Sequence, residues 1–533
     1  MNKRIKTIRL YDKWFVLLLN MAFFALMAWL LPIRYEVNDD TMMCLIANGH
    51  FTNKPDGHLV YINAIYGWFI ANLYDWIPSV EWYTILFCVI QVVAATGIAY
   101  MVLRDDRIPM LLKLLYLAFF YVLWTRIIID FQFTTTAGLL CFSGCLALLQ
   151  PNNKWKIFGA FAIFVASLIR FHAAGLVGII CSPLFFIAFM KDKKQMIWML
   201  SVLVVVLGAL WANSFFYSRQ EWVDYNAYNA ARSSIIDASD NSFDTLDMPE
   251  GVDYEDYQLF CRSLGDPNVM TLERLLVLKS RIQDKKTLGH SIEVLSQLER
   301  YRIPVFLLCM GFLFVLVACI LERRSSSDRF FLFLPLSALV LLLLLLMYIQ
   351  ITMSMKDRVF LCMLFPLTYE LLLCSQLPVS EKRSSFCRWV ISCVAIGITM
   401  KYLVQDIKVN RADRERYQMF LSCQKALIDK CSSNDELSLV YPACFYLDYI
   451  SPFKIKDVNF RMGLGWFTCI PFDHKKIIMN HLDFLDSGVL YFGRLEEPPL
   501  GIANSIERNY GIKVKIEKVD YNDQYALYQF VSK

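Results

Sequence analysis

Charge is what this sequence has least of. Only 19% of its 533 residues are Asp, Glu, Lys or Arg, against 57% in the apolar set. Chains that fold in water carry about a quarter charged residues to cover their surface, so a water-soluble multidomain protein is excluded. Glycine and proline are sparse too, at 21 and 17 residues, which excludes collagen-like and low-complexity chains. Sixteen cysteines in so long a chain do not amount to a disulfide scaffold, and most fall in apolar runs, where Cys behaves as a small apolar residue. Cys423, Cys431, Cys444 and Cys469 lie in a polar tail where a bridge is chemically allowed, but spacing assigns none. There is no Walker sequence, Rossmann glycine pattern, zinc spacing or internal repeat, so nothing points to ATP, dinucleotide or nucleic acid.

What the sequence has instead is long apolar runs with at most two charged residues each. They cover 14–33, 82–103, 110–129, 133–150, 156–170, 173–190, 195–216, 303–321, 330–351, 359–378 and 386–404, each compatible with a membrane crossing by length or near it. The first follows the basic cluster Lys3, Arg4, Lys6, Arg9 and Lys13, and no small-residue cleavage site comes after it. An uncleaved first helix with a cytoplasmic N-terminus is expected. Alternation then places Arg104/Arg107, Lys154/Lys156, Lys191/Lys193/Lys194, Arg323/Arg324/Arg329 and Lys382/Arg383 in cytoplasmic connections, as the positive-inside rule requires.

The expected fold is an all-α polytopic membrane bundle of eleven helices with a small extracytoplasmic α/β domain. The membrane module is residues 1–404. Its first outer loop, 34–81, holds an aromatic-rich stretch, 59–78, suited to lie flat at the membrane interface. Its large outer loop is 217–302. The tail 405–533 is expected to begin with a helix over 411–430, to contain strands near 437–441 and 488–492, and to close with a hairpin, 513–519 and 525–531, turning at Asn522-Asp523.

Ionisable groups at the lip of a membrane are the first place to look for function. The strongest group is Glu36-Val37-Asn38-Asp39-Asp40, just after the first run. Neighbouring carboxylates raise one another's pKa and can form a base or a cation site; the bland alternative is Asn38 or Asp39 capping a helix over 41–48. Asp130 ends the third run, four residues after Arg126, a spacing that also suits a helical ion pair. Arg170 and His172 sit between two apolar runs, facing a cavity or the interface. Lys356 and Arg358 precede a late run; a guanidinium meets two phosphate oxygens at once, and the alternative is an interfacial anchor. In the large loop, Trp222-Val223-Asp224-Tyr225-Asn226, Asn229, Arg232 and Asp237 follow the exit of a run, where polar groups can line an acceptor cleft.

Asp39-Asp40, a short helix, Gly49-His50, the turn Lys54-Pro55-Asp56-Gly57-His58, a flat aromatic helix and a second span occur in that order. The order resembles the first outer loop of the GT-C glycosyltransferases, the polyprenyl-phosphate-sugar-dependent superfamily that includes protein mannosyltransferases and lipid A aminoarabinose transferases. Asp39-Asp40 stands where the superfamily often has Asp-Glu, and the turn lacks a second Pro. The resemblance implies an enzyme of the cytoplasmic membrane that moves a sugar from a polyprenyl-phosphate donor to a glycan, lipid or protein acceptor on the outer face. Asp39 or Asp40 would activate the acceptor hydroxyl, with Asp130 assisting through charge or a divalent metal. Lys54, His58, Arg126, Arg170, His172, Lys356 and Arg358 would bind substrate. Two rivals are an O-antigen or capsule polymerase, which relies on Arg and His in outer loops, and a lipid-glycan flippase or transporter, which would show paired repeats and mid-membrane charges.

Overall fold

The computed structural model describes residues 12–31, 33–106, 108–236, 248–285, 301–321, 329–352, 356–374, 385–405, 408, 438–441, 451–453, 460–472, 477–523 and 525–533. The N-terminal basic cluster up to Arg9, Arg107, Arg323/Arg324, Lys382/Arg383, the helix expected over 411–430, and Cys423, Cys431 and Cys444 lie outside the described residues.

The apolar runs fold as helices because only a helix satisfies every backbone N–H and C=O within the segment itself. They are α1 (Lys13–Leu30), α4 (Trp82–Arg104), α5 (Met110–Ile129), α6 (Phe133–Leu148), α7 (Asn153–Ile180), α8 (Ser182–Lys191), α9 (Lys194–Phe216), α13 (Arg302–Leu321), α14 (Arg329–Thr352), α15 (Asp357–Leu373) and α16 (Ser385–Gln405). Among the described residues, six of these helices are long and apolar enough to cross a membrane: α1, α4, α5, α7, α9 and α16. Large side chains stand exposed along α1 and α9, among them Trp14, Leu18, Trp29, Val204, Trp211 and Phe215. Such faces belong in lipid.

At the centre is α6, every residue of which is buried. Small residues let its neighbours approach closely: Gly97 of α4 faces Ser143, Gly138 faces Cys362 of α15, and Gly144 meets Gly159 and Ile163 of α7. The helix α7 is interrupted at Arg170, whose backbone is extended (φ −154°, ψ 97°). The chain reverses there. Gly144 touches Gly159, while its neighbour Cys145 bonds to Cys181 at the other end of α7; a straight helix would hold those two contacts roughly 30 Å apart. Arg170 and His172 thus sit at the bend of a helical hairpin.

The loop between α1 and α4 forms α2 (Asn38–Ala47) and α3 (Ala64–Trp76). At 13 residues, α3 is too short to span a bilayer. Gly49, at φ +84°, lies so close to the Lys54 backbone that a Cβ would stand 2.6 Å from its carbonyl carbon. Only glycine fits that close turn. Two short strands, β1 (Arg34–Tyr35) and β2 (Asp130–Phe131), pair in parallel, Arg34 opposite Asp130.

Three helices of the large loop, α10 (Gln220–Ile236), α11 (Tyr254–Cys261) and α12 (Leu272–Lys285), share a core of Tyr228, Ile235, Phe260, Leu275 and Leu278. The tail builds a six-stranded sheet in the order β5-β4-β3-β6-β8-β7, from β3 (Ser438–Tyr441), β4 (Phe460–Gly463), β5 (Ile477–Ile478), β6 (Val489–Arg494), β7 (Val514–Tyr521) and β8 (Tyr525–Ser532), with α17 (Leu500–Tyr510) before β7. The terminal hairpin and the strands expected near 437–441 and 488–492 are present as β7–β8, β3 and β6; Cys469 is unbridged.

Loop and tail are bound together by charge. Asp256 of α11 accepts from Ser505 Oγ at 2.7 Å and Arg508 at 3.0 Å, and Asp266 accepts from Tyr510 OH at 2.7 Å and the His481 backbone N–H at 2.9 Å. The tail meets the helices as well: Thr84 Oγ1 donates to the Pro452 carbonyl at 2.7 Å, and Tyr225 OH to that of Trp466 at 2.8 Å.

Candidate functional site

A cavity of about 760 Å³ opens where membrane helices, large loop and tail meet. The α1–α2 turn contributes Glu36, Asn38 and Asp39. The α7 bend adds Arg170 and His172, and the start of α15 adds Lys356 and Arg358. Asn229 and Arg232 come from α10, and Trp466 from the tail. Of the residues singled out from the sequence, Asp39, Arg170, His172, Asn226, Asn229, Arg232, Lys356 and Arg358 are therefore brought together, whereas Asp224 does not line the cavity and Asp237 lies outside the described residues.

The two neighbouring aspartates point to different surroundings. Val37 is extended and makes no side-chain cap, and Asn38 is already helical; the expected cap by Asn38 or Asp39 is not formed, and both aspartates lie in the first turn of α2. Asp39 lines the cavity, and no hydrogen bond to its carboxylate is found among the described residues. Burial raises its pKa, opposed by the positive charges of Arg358, Arg170, Arg232 and Lys356 in that order. Asp40 is fully buried away from the cavity and accepts from Tyr83 OH at 2.9 Å and the Phe133 N–H at 3.1 Å. It joins α2, α4 and α6. Burial pushes its carboxyl well above the usual carboxylate range. Glu36, on the cavity wall, is raised to about 7, first by burial; Arg358 opposes, and Asp130 and Asp357 add to the rise.

Asp130 does not line the cavity. It pairs with Arg34 at 3.0 Å and Arg126 at 3.6 Å, and Arg126 reaches Asp357 at 3.4 Å. Asp357 also accepts from Tyr301 OH. Because Asp357 lies between Lys356 and Arg358, this chain of ion pairs anchors the turn that carries both cations. Lys54 is exposed, and His58 pairs with Asp56 at 2.7 Å while stacking on Trp222 at 4.7 Å; neither lines the cavity.

Arg170 donates to the Tyr61 carbonyl at 3.3 Å and lies over the rings of Tyr61 and Phe133 at 5.6 and 5.3 Å. That arrangement holds a guanidinium in place by cation–π attraction. Glu370, mid-helix in α15, is buried away from the cavity, and among the described residues neither carboxylate oxygen has a hydrogen-bond partner. Among the described residues, no three His, Cys, Asp or Glu side chains gather as a metal site would need. Sequence reasoning missed Trp466, because nothing in a polar tail marks one indole as reaching the membrane module, and it gave Glu36 no role of its own.

Four cationic side chains around two carboxylates give the cavity an excess of positive charge, which favours anions, and a carboxylate with no hydrogen bond among the described residues can accept a proton or orient a hydroxyl. Comparison with known proteins adds no match: no protein-family model, curated protein or solved structure corresponds to the chain.

Proposed function

We propose that the protein is a membrane glycosyltransferase of the GT-C type, moving a sugar from a polyprenyl-phosphate donor to a hydroxyl-bearing acceptor on the outer face of the cytoplasmic membrane. The observation that carries this reading is the sharing of one cavity by Asp39 and the cations Lys356, Arg358, Arg170 and Arg232. Asp39 orients the acceptor hydroxyl and takes its proton as attack on the anomeric carbon develops. A positioned base of this kind contributes roughly 100-fold or more. Lys356 and Arg358 stabilise the phosphate that departs with the lipid. Eleven crossings, counting the two arms of the α7 hairpin separately and α8 as the continuation of the second arm, put the cavity, the large loop and the tail outside the cell. In this topology α3 lies flat on the outer leaflet.

The test is donor use by the full-length protein in lipid nanodiscs, supplied with polyprenyl-phosphate hexoses and pentoses carrying a radiolabelled sugar and with an extract of the source cell's envelope as the supply of acceptor hydroxyls. Turnover of one of them, reduced about tenfold or more in Arg358→Gln at normal membrane levels, is the expected result. No turnover of any such donor, or an Arg358→Gln enzyme with unchanged donor dependence, would overturn the reading.

A further inference from the structure

Arg232 has no place in the donor chemistry just described. It is 8% exposed, lines the cavity, and among the described residues donates to neutral groups: Nε to Asn229 Oδ1 at 3.0 Å and Nη2 to Ser233 Oγ at 3.2 Å. Among the described residues no carboxylate lies within ion-pair distance of it. A guanidinium has five N–H donors and keeps its charge at all physiological pH values. Two of the five are occupied by described residues, and a charge so far removed from water is costly without a counter-charge. The contrast with Arg126, held between two aspartates in the same molecule, is direct. The lining as a whole carries Arg170, Arg232, Lys356 and Arg358 against Glu36 and Asp39. One phosphodiester leaves that excess of positive charge unbalanced.

The position of Arg232 matters as much as its charge. Lys356 and Arg358 begin a buried helix of the membrane module, where a lipid-tethered phosphate arrives. Arg232 is on α10, a polar helix of the large loop that packs on α12 and bonds to the Trp466 segment. Beside it, Asn226, Ser263 and Trp466 supply amide, hydroxyl and indole surface of the kind that holds a sugar ring.

We infer that Arg232 forms a second anion-binding position in the cavity, and that it takes a carboxylate or phosphate group carried by the acceptor away from its reacting hydroxyl. The inference rests on the transferase reading for the word acceptor; the anion position itself stands on Arg232 alone. An acidic acceptor is then selected over a neutral one by a charge-assisted, bidentate contact, while Asp39 acts on the hydroxyl at the other end.

The experiment is arginine modification by phenylglyoxal on the full-length protein in nanodiscs, read at Arg232 and Arg358 by peptide mass spectrometry. Farnesyl phosphate is present in every arm but one, in which the protein alone is modified, so that it fills the donor position and its own effect is read. Methyl glucuronide, glycerol 1-phosphate and the neutral methyl glucoside are added in separate arms. Protection of Arg232 by about fivefold or more from either acidic probe, with none from the glucoside, is expected; which acid protects distinguishes a carboxylate from a phosphate acceptor. Protection by neither acid, or equal protection by the glucoside, would overturn the proposal, as would protection of Arg232 by farnesyl phosphate alone. Failure of farnesyl phosphate to protect Arg358 counts against the donor reading instead. Arg232→Lys should retain the preference for the acidic probe in equilibrium binding and Arg232→Gln should lose it; indifference to both changes also refutes the proposal.

Discussion

Asp39 and Asp40 are adjacent and chemically identical, yet their surroundings demand opposite responses to the same substitution. Asp40→Ala removes the acceptor for two buried donors, the Tyr83 hydroxyl and the Phe133 N–H. Each buried donor left unpaired costs about 1–3 kcal/mol, giving a loss of roughly 2–6 kcal/mol. Asp40→Asn keeps a carbonyl oxygen at the same place, and burial already holds the Asp40 carboxyl well above the usual range; the amide should cost less than about 1 kcal/mol. Asp39→Asn loses no hydrogen bond made by the described residues. Its raised pKa means that the folded state holds the proton more tightly than the unfolded chain. The ionised form therefore weakens folding above the unfolded value of about 3.9, increasingly as pH rises toward the folded one. Removing that charge leaves the melting temperature at pH 7 unchanged or slightly raised, while sugar transfer falls about 100-fold. Thermal unfolding in nanodiscs and incorporation of labelled sugar by membranes, measured on the three variants together, decide the matter. An Asp40→Ala protein that melts with the parent, or an Asp40→Asn protein that is inactive beside an active Asp39→Asn, would refute the division of labour.

Two other outcomes follow from titrating groups. Glu36 is raised to about 7, by burial first, and its charge lies near Arg358, so between pH 6 and 8 it becomes negative and weakens anion binding, by roughly fivefold. Methyl farnesyl phosphate, a diester of fixed charge, should show that loss in equilibrium titrations, and Glu36→Gln should abolish it; a flat profile in the parent contradicts the assignment. His481 is lowered by burial, against the opposing pull of Asp266 and the Leu264 carbonyl. Its neutral ring supports the fold above the unfolded value of about 6.5, and that support is lost as pH falls below it. Melting curves at pH 7.5 and 5 should separate for the parent and converge for His481→Gln, and an unchanged separation in the variant assigns the effect to other groups.

Helix positions were legible because a membrane segment announces itself by the scarcity of charge. Each apolar run found its helix, and Ser182–Lys191 begins with Pro183 near its first position because the hairpin's second arm is broken there. The residues that gather at the cavity were legible for the same reason: Asp39, Arg170 and Arg358 are expensive where they stand. Their partners were not. Asp130 and Asp39 read alike in one dimension, and only the fold shows that Asp130 is occupied by Arg34 and Arg126 while Asp39 has no hydrogen bond among the described residues. The start of α15 at Asp357, two residues before its apolar run, shows why. A charge in the first turn of a helix is invisible to hydropathy, yet that turn presents Arg358 to the cavity.

The two-residue ladder of β1 and β2 has a consequence for timing. Parallel strands need a crossover between them, and here it comprises α2 to α5. Closing a loop of about a hundred residues costs roughly 4 kcal/mol, more than a pair of short strands at the membrane lip returns. The ladder is thus a product of assembled helices and cannot nucleate them. A nascent chain that has not yet released Phe131 carries Asp39 and Asp40 without the Phe133 N–H or the Asp130 partner of Arg34. The ladder forms late, after insertion of the first three long helices, and the cavity later still, because Arg170, Arg232, Arg358 and Trp466 of its lining all follow in the chain.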